Sequence, residues 1–301
     1  MGIGSLYITQ TMRRFAGIEG SEKSRYRILG VPFDSTTSYR PGARFAPDSV
    51  RQAAAALESN SFFLRDLYLE DAAPYDEGDV AVSIGDVAET LTRIEAAVAE
   101  VASHGIPILI GGEHTITLGA YKALSSKKPC MVVFDAHLDF RDDYLGLKVG
   151  HATFMRRLIE SRQPPKIVYL GVRAFSKEEA EAVRKLPYIT IRGPQDFISL
   201  GPVNVASSVV SELRACDSVY ISVDMDVFDT AYAPGVGNPE PLGLTPLDVL
   251  SVINKIVDER LVGADVVEVS PTYDPSGVTS SLAAKVILEL ILKHYAVSSR
   301  R

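Results

Sequence analysis

With 301 residues, 46% of them hydrophobic, the chain is long enough to bury one large core or two smaller ones, and no linker-like stretch divides it. Its 31 Lys and Arg stand against 38 Asp and Glu, a net charge of -7 with no basic run longer than a pair; nucleic acid and anionic membrane are therefore excluded as partners, and a cationic small molecule is favoured. The chain start lacks the charged and apolar regions of a signal peptide, and no segment approaches ~18 uninterrupted apolar residues, so a soluble cytoplasmic protein is expected, with Cys130 and Cys216 read as free, buried thiols.

Residues 1–25 show no clear periodicity, and they are expected to form a loosely ordered extension, or an arm contacting another subunit, of a single domain over 1–301. From Tyr26 onward, apolar strand-like runs alternate with helical patterns. Arg27-Ile28-Leu29-Gly30-Val31 reads as a strand, 47–57 and 87–103 as helices, and Ile106 to Ile110 as a second strand. There follow helix 115–124, strand 131–135, helix 151–161, strand 166–171, helix 176–185, strand 188–191 and helix 204–214. Strand 218–223, helix 246–258, strand 264–269 and helix 279–295 complete the series. The alternation predicts a mostly parallel sheet of roughly eight strands, covered on both faces, with ligands bound beyond the carboxyl ends of the strands.

Three motifs fall on that rim. Gly111-Gly112-Glu113-His114 follows a strand and opens a helix, so the paired glycines permit a tight turn that delivers His114. Asp135-Ala136-His137-Leu138-Asp139 and Ser222-Val223-Asp224-Met225-Asp226 each follow an apolar run and place oxygen and imidazole groups at alternate positions, which in extended chain share one face. A single such triplet could be a solvated loop or a set of helix caps. Two of them, with Asp229 adding a further carboxylate, concentrate charge that divalent cations convert into attraction. His151 also follows a strand, whereas His104 and His294 lie in helix ends and are expected at the surface.

The donor set has imidazoles and carboxylates but no thiolate, which favours manganese over zinc. Asp135, Asp139, Asp224 and Asp226 carry four negative charges. Two divalent ions cancel them, and an added hydroxide leaves a slightly anionic centre suited to a cationic electrophile.

These motifs, in this order from Tyr26 to Tyr295, resemble the ureohydrolase family, which includes arginases and agmatinases. The resemblance implies a three-layer α/β/α subunit with two Mn2+ ions that hydrolyses a guanidinium group to urea and an amine. It implies His114, Asp135, Asp139 and Asp224 as ligands of one ion, and Asp135, His137, Asp224 and Asp226 as ligands of the other. By the same resemblance Asp139 serves as general acid, His151 relays protons and Glu268 pairs with the guanidinium. Such a site answers a chemical need, because a guanidinium carbon is a poor electrophile and water attacks it at neutral pH only when its own pKa is lowered far below ~15.7.

The segment Phe140-Arg141-Asp142-Asp143-Tyr144-Leu145-Gly146 is similar to agmatinases, not to the Asn-, Ser- and Thr-rich loop of arginases. Asp142 and Asp143 are candidates to receive a terminal ammonium, or else they form a solvated turn. Arg141 leaves room for the carboxylate of 4-guanidinobutyrate, and aminopropylagmatine and arginine are further alternatives. Asn238 stands where the family commonly has Thr, near the guanidinium-binding glutamate, and Val236 and Leu242 also depart from the pattern, so the pocket is expected to differ there. A catalytically silent, metal-binding paralogue would lack a ligand, and a mononuclear zinc deacetylase would need only part of the set; all six are present. Trimers or hexamers are the assemblies implied.

Overall fold

The structure, a computed structural model, describes residues 2–299. Nine strands build one sheet: β1 (Ile8–Thr9), β2 (Tyr26–Val31), β3 (Tyr75–Val80), β4 (Ile106–Gly111), β5 (Cys130–Phe134), β6 (Ile167–Leu170), β7 (Ile189–Arg192), β8 (Val219–Asp224) and β9 (Leu261–Val267). Their spatial order is β1-β3-β2-β4-β9-β8-β5-β6-β7, and every pairing is parallel except that of β1 with β3. The helices are α1 (Ala46–Ala54), α2 (Leu69–Ala72), α3 (Val87–Ala102), α4 (Ile116–Leu124), α5 (Phe154–Arg162), α6 (Lys177–Val183), α7 (Pro194–Leu200), α8 (Pro202–Glu212), α9 (Pro246–Ile256) and α10 (Val278–Ser298).

Strands β2, β4, β5, β6 and β8 are buried at every residue, as expected of apolar runs covered on both faces. One core packs Val50, Val209, Ile253 and Ile287 from α1, α8, α9 and α10 against the sheet; the other packs Ile94, Leu118 and Phe154 from α3, α4 and α5. The result is a three-layer α/β/α architecture. Local signals set the helix starts: Asp86 accepts from the Glu89 backbone N–H at 2.9 Å, and Thr245 caps α9 just before Pro246.

Several features differ from the sequence reading: helices α2 and α7 were not expected, and the motifs after Phe134 and Asp224 leave extended geometry at Asp139 and Met225–Val227. Strand β3 was not expected, because Tyr75-Asp76-Glu77-Gly78-Asp79-Val80 reads as polar loop. It becomes a strand because buried Asp76 is gripped by the Arg51 guanidinium at 2.8 and 2.9 Å and also accepts from the Phe15 backbone N–H at 2.8 Å. Residues 2–25 are not a loose extension: β1 pairs with β3, Phe15 is buried, and the Gly2 N–H reaches Glu100 at 3.1 Å. A two-residue strand is too short to show alternation, yet it covers a sheet edge that would otherwise be open.

The cysteines are not free thiols. Cys130 and Cys216 form a disulfide with Cα atoms 6.0 Å apart across 86 residues of sequence. Strands β5 and β8 are parallel neighbours with Cys130 opposite Val219, so residues at the starts of both strands meet. Such proximity is tertiary information that cysteine count and spacing do not carry. His294 is fully buried in α10, with Nδ1 2.8 Å from the Tyr26 hydroxyl, whereas His104 is exposed as expected.

Candidate metal centre

The four adjacent strands β4, β9, β8 and β5 all end at one place. After β4, the chain turns sharply at Gly112, where a Cβ would stand 1.8 Å from the Phe33 carbonyl oxygen, so only glycine lets this turn press against residue 33. The turn delivers His114 to the rim. The β5/β8 register, Phe134 opposite Val223, brings Asp135 and Asp224 to neighbouring strand ends, and the β8/β9 register, Asp224 opposite Val267, places Glu268 beside them. The carboxyl ends of central parallel strands are where this architecture opens a crevice.

His114 Nδ1 lies 3.3 Å from Asp135 Oδ2, 3.3 Å from Asp139 Oδ2 and 3.1 Å from Asp224 Oδ2. His137 Nδ1 lies 2.9 Å from Asp226 Oδ2 and 3.7 Å from Asp135 Oδ1. Two groups therefore converge, one of His114, Asp135 and Asp139 and one of Asp135, His137 and Asp226, with Asp135 common to both. His114 Nδ1 and Asp135 Oδ2 are buried without a hydrogen-bond partner although they face each other. Divalent ions hold oxygen and nitrogen donors at about 2.0–2.2 Å, which sets neighbouring donors roughly 3 Å apart. The spacing, the hard donor set and the orphaned atoms all fit cations at both positions.

Electrostatics agree. Burial works to lower His114, but the Asp135, Asp139 and Asp224 carboxylates outweigh it and raise the imidazole well above its ordinary value. His137 is likewise raised against burial, by Asp226 and Asp135. Burial and the Asp135 charge push Asp139 up to about 7, while burial followed by Asp226 and Asp135 pushes Asp224 well above the usual carboxylate range. Burial acts to raise Asp135 too, yet His114 and His137 overcome it and hold the group at about 2. Crowded carboxylates that draw protons onto their neighbours are a site asking for positive charge.

His137, Asp139, Asp224 and Asp226 of the cluster form the floor of a cavity of about 380 Å³, with His114 and Asp135 beneath them, and its wall includes His151, Glu268, Ser38, Tyr39, Arg141, Tyr144, Phe175, Glu179, Asn238 and Glu240. Glu268 Oε1 accepts from the His114 backbone N–H at 2.7 Å, and burial together with nearby Glu113 pushes its carboxyl up to about 8. Asp139 and Glu268 hold the left-handed backbone conformation, with φ of 49° and 64°, a costly state for residues other than glycine that aims both carboxylates inward. His151 is buried with Nε2 3.2 Å from Ser38 Oγ, and burial drives it down to about 4, leaving a neutral ring near pH 7.

Of the other expected residues, Asn238 lines the cavity and its neighbour Gly237 lies so close to Glu268 that an added Cβ would stand 2.9 Å from Oε2. Asp142 and Asp143 do not line it. Asp142 pairs outward with Lys148 at 2.8 Å and Arg157 at 2.7 Å, and Asp143 closes a turn by accepting from the Gly146 backbone N–H. Asp229 also stands apart from the cluster, accepting from the backbone N–H groups of Ala231 and Gly243.

Three residues that support the site were given no role from the sequence, and of them only Glu179 lines the cavity. Glu113, inside the Gly-Gly-Glu-His motif, faces away from His114 and accepts from Thr36 N–H at 2.8 Å and Thr115 Oγ1 at 2.6 Å, which anchors the loop that carries Ser38 and Tyr39. Arg173 donates to the carbonyls of Asp226, Glu240 and Pro241 and so ties the β8 turn to the Asn238 loop. Glu179 caps α6 and lies 3.7 Å from the Arg141 guanidinium. Its capping motif was visible, but its place in the cavity was not.

Comparison with known proteins places this geometry among relatives. The model of the Arginase family matches residues 24–293. The chain is 37% identical to an N(1)-aminopropylagmatine ureohydrolase of Thermococcus kodakarensis, over 92% of this chain and 94% of the relative. It is 34% identical to an agmatinase of Halalkalibacterium halodurans, over 90% and 92%. The solved structure of an agmatine ureohydrolase of Thermoplasma volcanium superposes with a TM-score of 0.87 at 38% identity, covering 98% of each chain.

Proposed function

Because the chain belongs to the arginase family, whose fold and hydrolytic class it shares, we propose that it is a manganese-dependent ureohydrolase that converts agmatine to putrescine and urea. The observation that carries this reading is a cavity in which Glu268 and His151 share the wall above a floor of His137, Asp139, Asp224 and Asp226, with His114 and Asp135 converging beneath. Two bound Mn2+ ions would supply the water activation and charge neutralisation that the reaction needs. His114, Asp135, Asp139 and Asp224 would hold one, and Asp135, His137, Asp224 and Asp226 the other.

The chain's own residues do the rest. Glu268 Oε1 is fixed by the His114 backbone, which leaves Oε2 to receive the substrate guanidinium by a charge-assisted hydrogen bond. As the carbon–oxygen bond forms and the carbon–nitrogen bond breaks, the proton released by water passes through Asp139 to the departing amine. Neutral His151, with Ser38 at its Nε2, takes up the other proton of the attacking water and passes it to the outer cavity, where the released amine picks it up.

Along the cavity wall Glu240 presents a carboxylate, which suits a substrate tail ending in an ammonium, while Glu179 is engaged by the Phe140 and Ser176 backbone N–H groups and by Arg141. Arg141 favours a second reading, a γ-guanidino acid such as 4-guanidinobutyrate, but its guanidinium already sits 3.7 Å from Glu179 and stacks 4.9 Å over the Tyr144 ring. The hard donor set supports manganese. A cytoplasmic trimer or hexamer acting in polyamine synthesis completes the proposal; among the described residues no helix is long and apolar enough to cross a membrane.

The test is urea release by the manganese-loaded protein from agmatine, arginine, 4-guanidinobutyrate and aminopropylagmatine. Agmatine should be preferred. Preference for arginine or guanidinobutyrate would overturn the substrate, and no urea from any of the four would overturn the reaction.

A further inference from the structure

Behind the cavity floor lies a buried chain of polar groups that touches neither the cavity nor the proposed substrate. His114 Nε2 is 2.9 Å from Ser222 Oγ, and Ser222 Oγ donates to Asp265 Oδ1 at 2.5 Å. Asp265 Oδ2 accepts from the Tyr220 hydroxyl at 2.5 Å and from Thr117 Oγ1 at 2.8 Å. His114, Ser222 and Asp265 are all fully buried, so none can exchange its partner for water.

The proton count decides the direction of this chain. A serine hydroxyl has one proton to give. If Ser222 gave it to His114, Asp265 Oδ1 would face a serine lone pair at 2.5 Å in a dry interior, a repulsive and unsatisfied contact. Given instead to Asp265, the hydroxyl is left as an acceptor, and His114 Nε2 must carry the ring proton. The same ring's Nδ1 then presents its lone pair to Asp135, Asp139 and Asp224, which is the tautomer a cation at that position requires.

We infer that Ser222 and Asp265 are positioning residues that fix the tautomer and orientation of His114 for metal binding, a role that rests on the reading of the cluster as a metal centre. In its ionised form, which the three hydroxyls donating to it favour, Asp265 supplies the direction, because it then offers only acceptors. Asp265→Asn keeps the shape but lets an amide N–H donate to Ser222, which turns the serine proton toward His114 and moves the ring proton to Nδ1. Ser222→Ala removes the link altogether. Thr117→Val also strips a hydroxyl from Asp265, but it leaves the chain from Asp265 to His114 intact.

The experiment is manganese titration of the metal-free proteins, followed by electron paramagnetic resonance of free Mn2+, with folding checked by circular dichroism. Asp265→Asn and Ser222→Ala should each weaken the ion on the His114 side by ~10–100-fold, the range for such supporting partners, and Thr117→Val by less than about threefold. If Asp265→Asn fails to fold, Ser222→Ala, which deletes one oxygen, decides the matter. Wild-type affinity in the folded variants would overturn the inference, as would an equal loss in Thr117→Val, which would mark a merely structural effect. A wild-type protein that binds no manganese would overturn the metal centre itself.

Discussion

Glu268 shows how one side chain acquires a role from its surroundings. As a strand-end glutamate it would face solvent; here it is buried, bonded to the His114 backbone and aimed at the cluster. Glu268→Gln should lower kcat/KM for agmatine at least ~100-fold, the scale for removing one partner of a desolvated charge pair, measured by urea release. Asp226→Ala should leave one manganese bound per chain, and two retained equivalents by elemental analysis would refute the ligand assignment. The six cluster residues stood out in the sequence because imidazoles and carboxylates crowd directly after apolar runs or a Gly-Gly turn; the strand alternation expected of them is absent, since the chain leaves extended geometry at Asp139 and at Met225–Val227. For Asp142 and Asp143 the sequence left ammonium binding and a solvated turn both open; the structure shows the turn, with Asp142 paired to Lys148 nearby and to Arg157 on α5, and only the last depends on helix packing.

Contacts between elements carry two further predictions. The Cys130–Cys216 disulfide links the starts of β5 and β8, at the opposite end of the strands from the cluster. Replacing both cysteines with alanine should lower stability by roughly 2–4 kcal/mol while leaving urea release unchanged, as thermal unfolding and activity assays would show. His294 in α10 is bonded to Tyr26 in β2, and burial, with a smaller contribution from Arg25, pulls it from 6.5 down to about 4. Because the unfolded chain takes up a proton that the folded one refuses, this contribution is complete above pH 6.5 and is lost as pH falls toward 4. Its size is on the order of 3 kcal/mol, and His294→Gln should flatten the acid side of the stability curve by that amount; an unchanged curve would refute it. Strand β3 and the short β1 escaped the sequence reading for a related reason, since their stability comes from Arg51 and from edge pairing, not from their own apolar pattern.

At the scale of the whole molecule, two ions held by ligands from three strand ends would tie together elements from residue 106 to 226. Ligands that bind only the folded state stabilise it, by about 2.7 kcal/mol for an ion present at a hundred times its Kd. Chelation should therefore lower Tm by several degrees, roughly 4 °C per ion for a chain of this size, and manganese should restore it. Scanning calorimetry with no shift on chelation would count against a structural contribution from the metals.

The sequence by itself determined the layered α/β class and the common rim on which the motifs fall, because hydrophobic periodicity and the alternation of strands with helices are local properties of the chain. Only the tertiary structure decided the order β4-β9-β8-β5 that brings those strand ends together, the disulfide, the buried Asp265 chain behind His114 and the choice of Glu179 and Glu240 over Asp142 and Asp143 at the cavity wall. Each of these is a meeting of residues distant in sequence. Which of several equally polar side chains meets which is settled by strand register and helix packing, and neither is written in any one segment.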